Sequence, residues 1–366
     1  MTYFADVYRG RRVLVTGHTG FKGSWLALWL LHLGAEVAGF SDDLPSMPAN
    51  FELLGLEKHL NHYRGDIRDR ARLAEVIDEF QPEMVFHLAA QALVRRSYVD
   101  PIATFETNTM GMVNLLECVR TRPWIETAVL ITSDKAYRND EWCWGYRETD
   151  ALGGHDPYSG SKSCADLVAQ SYYHSFLRHT PTRVAITRAG NVIGGGDWAA
   201  DRIVSDCIRA WSNGESVAVR SPLATRPWQH VLEPLSGYLW LGARMWHKAA
   251  GLNGEAFNFG PDAHVNQTVT ELLNAMAMSW AGVQWHVPEG FEQGGHEAKL
   301  LKLSCDKVLF HLNWRAVLQF PETVAFTIDW YRTWHDGQQD IYSFTVGQID
   351  SYCHFAQARQ EAWVQT

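Results

Sequence analysis

The sequence predicts an α/β chain built on a parallel sheet, and three observations carry that expectation. Short apolar runs rich in β-branched residues at 12–16, 36–40, 84–88 and 127–132 alternate with stretches of helical apolar spacing. Strands separated by helical patterns imply crossover units and parallel pairing. The first run leads directly into glycines at positions 17, 20 and 23. A chain of 366 residues also exceeds what one compact core needs, so a smaller second lobe is expected.

Composition narrows the function classes. Hydrophobic residues make up 46% and charged residues 20%, a globular balance without wholesale disorder. The net charge is -9 and no Lys/Arg run occurs, which argues against a nucleic-acid partner. A small anion remains open, because a few placed arginines suffice for one diphosphate. Residues 1–10 lack the apolar core of a secretory leader, and the best apolar run, 25–33, contains His32 and is too short to span a bilayer. A cytoplasmic protein with no membrane partner is expected. The six cysteines are scattered with no CxxC pair, so neither a zinc ribbon nor a disulfide framework is expected, and no metal site is read.

The first strand, 12–16, runs into Gly17-His18-Thr19-Gly20-Phe21-Lys22-Gly23 and then a helical stretch, 21–33. The spacing is GxxGxxG rather than GxGxxG, yet the physical demand is the same. Glycine allows a tight turn, close approach of backbone to a pyrophosphate, and close helix–sheet packing. The following helix start offers unpaired N–H groups to phosphate. The fold class read here is therefore a Rossmann-like, doubly wound parallel sheet with a smaller mixed C-terminal substrate lobe. The second strand ends at Ser41, where an acid that binds the adenosine ribose is expected; Asp42 and Asp43 follow. No Lys or Arg occurs between Lys22 and Lys58, which favours NAD over NADP. Asp66 and Ile67 follow the third strand; Asp66 is a candidate adenine contact or, equally, a helix cap. Beyond 188 the pattern loosens, with Gly194-Gly195-Gly196 and helical stretches at 203–211, 231–246 and 269–280. This gives a cofactor domain at 1–190 and a mainly substrate-binding lobe at 191–366, with segments near 226–256 and 310–330 as candidates to return to the first.

Tyr158-Ser159-Gly160-Ser161-Lys162 has YxxxK spacing, which sets phenol and ammonium on one face of a helix. A phenol ionises near pH ~10, and a nearby cation favours the phenolate that a general base needs. The motif alone is common, and an exposed helical pair is its bland alternative. The glycine turn upstream and the polar strand end at Ser133 strengthen it.

Together these residues resemble the extended short-chain dehydrogenase/reductase superfamily across about 11–330, with the His87-Leu88-Ala89-Ala90 strand end and Asn108 as further matches. The resemblance implies NAD held by Gly17, Thr19, Gly20, Phe21, Lys22, Gly23, Asp66, Ile67, Leu88, Ala89, Ala90, Asn108, Tyr158 and Lys162. It also implies Tyr158 as base, Lys162 on the nicotinamide ribose and Ser133 on the substrate oxygen.

A narrower resemblance is to the nucleotide-sugar 4,6-dehydratases. Thr132-Ser133-Asp134-Lys135-Ala136-Tyr137 occupies the place of their acid–base pair, and Asp-Lys there resembles the branch acting on CDP-glucose. The segments 188–198 and 226–234 and the His296-Glu297 pair carry the same likeness. It implies Asp134 as acid, Lys135 as base, and Asn191, Arg202, Arg226, His230 and His296 as substrate contacts. It further implies a homodimer and a product destined for deoxysugars of surface polysaccharide such as lipopolysaccharide O-antigen. Three other readings remain open: a dehydratase for another base, a 4-epimerase that would not need Asp134-Lys135, and a non-catalytic nucleotide sensor.

Overall fold

The computed structural model describes residues 2–219, 221–262, 265–280, 283–288 and 300–365. Seven strands form the central sheet: β1 Arg12–Thr16, β2 Glu36–Ser41, β3 Asn61–Arg64, β4 Met84–His87, β5 Thr127–Ile131, β6 Arg183–Ala189 and β7 Ala256–Phe259. Their order is β7-β6-β5-β4-β1-β2-β3, and every pair is parallel. The main helices are α1 Phe21–His32, α2 Arg70–Phe80, α3 Gly111–Arg120, α4 Pro157–Tyr172, α5 Ile203–Ser212, α6 Leu232–Trp246, α7 Phe320–Asp336 and α8 Ile341–Ala358.

The sheet is buried on both faces, and strand alternation sorts its side chains. Val13, Val15, Met84, Phe86, Val129 and Ile131 join the core shared with Trp25 and Trp29 of α1 and with α6. Leu14, Val85, Ala128 and Leu130 face the core of α2, α3 and α4, through Leu73, Ile77, Leu115 and Ala165. β3 is a half-exposed polar edge strand, Asn-His-Tyr-Arg, with no apolar run to reveal it. β7 is contributed from beyond 250 and pairs with β6 at Phe257↔Thr187.

Strand order reverses between β1 and β4. That creates the crevice at strand C-termini where open α/β sheets bind ligands. Thr16 pairs with His87 there, and the Leu88 N–H donates to the Thr16 carbonyl at 3.0 Å. The later part of the chain builds α5 and short strand pairs, Thr225–Arg226 with Gln267–Thr268 and Gln229–His230 with Val192–Ile193. Glu233 of α6 anchors the C-terminal region: its buried carboxylate accepts from the N–H groups of Val317 and Leu318 at 2.7 and 2.6 Å and from Tyr352 Oη at 2.8 Å. Among the described residues no helix is long and apolar enough to cross a membrane.

Candidate active site

The glycine turn is built to bring backbone to backbone. Gly17 sits at φ +77°, where L side chains are strained, and a Cβ there would lie 2.7 Å from the Ala89 nitrogen. A Cβ on Gly23 would collide with the Gly17 carbonyl, so α1 packs directly against the turn. Gly20 caps α1 with no side chain covering its first N–H groups, which leaves them available to an anion. A cradle closed by backbone on two sides, with an open helix start, fits the pyrophosphate of a dinucleotide.

The adenosine end departs from the expected pattern. Ser41 Oγ lies 3.0 Å from His18 Nδ1, and His18 Nε2 lies 2.7 Å from His62 Nδ1. Burial, with the charge of His62, pushes the His18 imidazole down to about 3, so the His18 ring is neutral at pH 7. Thr19 Oγ1 donates to the Asp43 carbonyl at 2.8 Å, joining the turn to the loop after β2. The absence of a cation in 23–57 does not carry over to the fold, because β3 brings Arg64 into register beside Ser41. Its Nε donates to the Asp42 carbonyl at 2.9 Å, and its guanidinium pairs loosely with Asp43 at 3.4 Å. Asp66 is not the cap of α2; Asp69 is, accepting from the Arg72 N–H, while Asp66 pairs with Arg68 at 2.6 Å. Ile67 is buried against Gly111 at the start of α3.

Asn108 sits in a single π-turn, Glu106–Met110, a distortion that often marks functional positions. Its carbonyl accepts from the Gln91 N–H at 2.8 Å, and its amide donates to Ser161 Oγ at 2.8 Å. It therefore ties the loop after β4, with Leu88, Ala89 and Ala90, to the helix turn that carries Lys162.

α4 starts with Asp156 as N-cap and Pro157 in its first turn, and both set the helix register. Tyr158 and Lys162 share one face and are buried at 8% and 6% exposure. Burial raises the Tyr158 phenol, the hydrogen bond with Ser133 and the charge of Arg202 lower it, and Asp134 raises it. Arg202, from the chain beyond β6, thus adds a cation that bears on the phenol. Lys162 is brought to about 8 by burial and then by Lys22, and its own charge bears on His87. Lys22 is likewise lowered to about 8 by burial, with Asp134 opposing and Arg202 adding.

Ser133, Asp134 and Lys135 follow β5 as one turn of 3-10 helix with Ser133 as its cap. Ser133 Oγ lies 3.0 Å from Asp134 Oδ1. Burial raises the Asp134 carboxyl above its ordinary range, opposed by Lys135, Ser133 and Lys22. A raised acid, two depressed lysines and a buried phenol in one crevice form a cluster of the kind that performs proton chemistry.

The later segments converge on the same point. A Cβ on Gly190 would lie 3.2 Å from Asp134 Oδ2 and 3.9 Å from Pro227 Cγ, so the chain between β6 and Asn191 passes directly over the acid, next to Arg226. Arg202 pairs with Asp197 at 2.8 Å. Arg226 is buried, with one guanidinium nitrogen on the Thr225 carbonyl at 2.8 Å. Asn191 is half-buried at the start of the glycine-rich segment. His230 is fully buried, its ring packed edge-on between Trp25 and Phe326, and burial takes it to about 3. That places it in the core beneath the crevice. His296 and Glu297 lie outside the described residues.

Sequence reasoning passed over a buried set behind this crevice: Asp166, Arg188, Tyr137 and Asn258. The i+4 step from Lys162 to Asp166 was a visible signal, since it continues the Tyr158–Lys162 face.

Comparison with known proteins agrees with this geometry. The sequence profile of the family described as GDP-mannose 4,6 dehydratase matches residues 14–327. The chain is 46% identical to the CDP-glucose 4,6-dehydratase of Salmonella typhimurium, over 95% of this chain and 97% of that protein. It is 29% identical to the dTDP-glucose 4,6-dehydratase of Streptomyces antibioticus, over 87% of this chain and 92% of that one. Among solved structures, the Thermus thermophilus UDP-glucose 4-epimerase in complex with NAD superposes with a TM-score of 0.72 at 26% identity, over 88% of this chain and 99% of that one. With the glycine turn, the Tyr158–Lys162 helix and the Ser133-Asp134-Lys135 strand end in one crevice, the chain belongs to the GDP-mannose 4,6-dehydratase family of nucleotide-sugar enzymes.

Proposed function

We propose that the protein is an NAD-dependent hydro-lyase that converts CDP-glucose to CDP-4-keto-6-deoxyglucose and water. The observation that carries this reading is the convergence of Ser133 and Asp134 with Tyr158 under Gly190. The identity to the Salmonella typhimurium enzyme over nearly the whole chain supports the choice of CDP-glucose.

Bound NAD would accept hydride from C4 of the sugar and later return it to C6. Gly17, Gly20 and Gly23 would hold its pyrophosphate at the start of α1, Asn108 braces the loop of Leu88–Ala90, and Lys162 would serve its nicotinamide ribose. Tyr158 takes the proton of the C4 hydroxyl, and Ser133 donates a hydrogen bond to the oxygen that becomes the ketone. The ketone acidifies C5–H. Lys135 removes that proton, Asp134 protonates the departing C6 hydroxyl, and water leaves. Lys135 returns its proton to C5, and the proton taken by Tyr158 makes good the one Asp134 gave up, so the balance is substrate to product plus water. The burial that raises Asp134 suits a group that must donate a proton. Asn191, Arg202 and Arg226 serve the diphosphate, for which forked guanidinium groups are suited.

The protein works as a homodimer in this reading, in the cytoplasm, making a precursor for deoxysugars of surface polysaccharide. Support for pairing is an apolar patch: Tyr98, Val99 and Ile102, with Leu167 of α4, are each more than half exposed, and Phe176 lies close to that.

The test is turnover of CDP-, dTDP-, UDP- and GDP-glucose with NAD, scored for a 4-keto-6-deoxy product. CDP-glucose alone is expected to react, and Lys135→Ala is expected to keep C4 oxidation while losing dehydration. Product from another nucleotide would remove the cytidine assignment, an epimer would remove the dehydration, and full turnover by Lys135→Ala would remove Lys135 as base.

A further inference from the structure

The Ser133–Ala136 turn is short, and its two flanking residues are both tied to one buried ion pair. Arg188 of β6 and Asp166 of α4 are each 0% exposed and form a two-pronged contact, Nε to Oδ2 at 2.7 Å and a terminal nitrogen to Oδ1 at 2.8 Å. On the upstream side, Thr132 Oγ1 lies 3.2 Å from Asp166 Oδ2 and equally from the Thr187 carbonyl. On the downstream side, the remaining guanidinium nitrogen of Arg188 donates to Tyr137 Oη at 2.7 Å, and Tyr137 passes its own hydrogen to Asn258 Oδ1 at 2.8 Å. The turn is also pinned in the middle, where Ser163 Oγ donates to the Ala136 carbonyl at 2.7 Å.

Asp166 follows Lys162 by four residues and Tyr158 by eight, on the same face of α4. The ion pair therefore refers the acid–base turn to the very helix face that presents the phenol and the lysine. Two groups that act on adjacent sugar carbons come from different strands and helices. Their separation is set through Asp166 and Arg188, with no direct covalent route shorter than the whole βα unit.

We propose that Arg188 and Asp166, through Thr132 and Tyr137, are positioning residues that hold Asp134 and Lys135 in register with Tyr158 and Lys162, and that they serve the elimination more than the oxidation. The oxidation relies first on Tyr158, which α4 itself carries, with Ser133 bearing on its phenol from the first residue of the turn. The elimination needs Asp134 and Lys135, whose placement depends on the clamp. This inference rests on the dehydratase reading above.

The test uses the full-length protein with Tyr137→Phe, which keeps the ring and the Arg188–Asp166 pair and removes one tie. Displacement of a reacting group by a fraction of an ångström to an ångström costs up to about 100-fold, so turnover of CDP-glucose is expected to fall about 10- to 100-fold with KM nearly unchanged. Reduced cofactor should build up in its absorbance, because oxidation proceeds while elimination lags. Amide hydrogen exchange at 133–137 should quicken, with global unfolding little affected. Thr132→Val, which loosens the other side, should give the same signature, and Thr132→Ser, which keeps the hydroxyl, should restore turnover. Unchanged turnover, or a uniform loss with no build-up of reduced cofactor, in both Tyr137→Phe and Thr132→Val would overturn the proposal. If the unaltered protein dehydrates no nucleotide sugar, the functional reading fails on its own. The clamp is then judged by exchange at 133–137 alone, and unaltered exchange in both variants sinks it.

Discussion

Two clusters of buried charge lie within one helix of each other and are built on opposite principles. Around Arg188 the charge is compensated: Asp166 faces it with both oxygens, and Tyr137 and the Glu148 carbonyl accept from its third nitrogen. Around Tyr158 the compensation is only partial. Burial brings Lys22 and Lys162 both to about 8, with smaller contributions from Arg202 on Lys22 and from Lys22 on Lys162, and burial raises Asp134. The first arrangement yields rigidity, since a buried pair that is fully hydrogen-bonded has one geometry. The second yields groups that exchange protons near neutral pH, at a cost in stability. Burial by itself therefore says little about role; what matters is how fully opposing charge and hydrogen bonds meet the buried group.

The comparison breaks most sharply if Asp166 is changed. Asp166→Asn strips the partner from a buried guanidinium and should lower the stability of the fold by about 3–5 kcal/mol, read from denaturant unfolding. If the loss is no larger than that of an average surface change, the pair is not the compensated cluster described.

Lys162→Met should do the reverse. It removes a cation held at 6% exposure and should abolish turnover while leaving stability equal or higher, by on the order of 1 kcal/mol at pH 7. The pH dependence follows the same sign. The folded lysine titrates near 8 and the unfolded one near 10.5, so the unfolded chain holds the proton more tightly between those values. Stability therefore gains from this group as pH rises from 8 to 10.5, and that gain should vanish in Lys162→Met. A destabilised variant would place Lys162 with the compensated groups.

Glu233 sharpens the comparison at smaller scale, because it is a buried acid met only by neutral donors. Burial pushes it up to about 7, from an ordinary 4.5, against the pull of the Leu318 and Val317 N–H groups. Its contribution to stability is full below 4.5 and lost as pH rises through 7. Glu233→Gln should flatten that decline, with a loss on the order of 1 kcal/mol from the mismatched amide hydrogen. Stability curves measured from pH 4.5 to 8 for both proteins check this, and parallel curves would show that Glu233 stays ionised throughout.

How far the site could be read from the residues depended on the range of the interaction. The glycine turn was legible because its demands are local: a positive φ at Gly17 and close packing at Gly23 are satisfied within seven residues. Tyr158 and Lys162 were legible because a helix repeats every four. The adenosine end was legible only in part, although NAD, the cofactor read there, stands. A scan along the chain past Ser41 met no cation, yet parallel pairing set Arg64 beside it from the next strand. His230, in a segment that resembles substrate-binding ones, turned out to pack in the core, because alternate residues of that short strand face opposite ways.

By itself, then, the sequence determined the α/β class, the parallel sheet, the phosphate turn and the identity of the chemical groups, all of which follow from patterns within one turn or one strand. Only the tertiary structure decided which charges meet. Arg202 bears on the phenol, Gly190 passes over Asp134, and Arg188 finds Asp166 across the sheet. Electrostatic effects depend on distance and burial, and neither is a property of sequence spacing once the chain crosses from one layer to another.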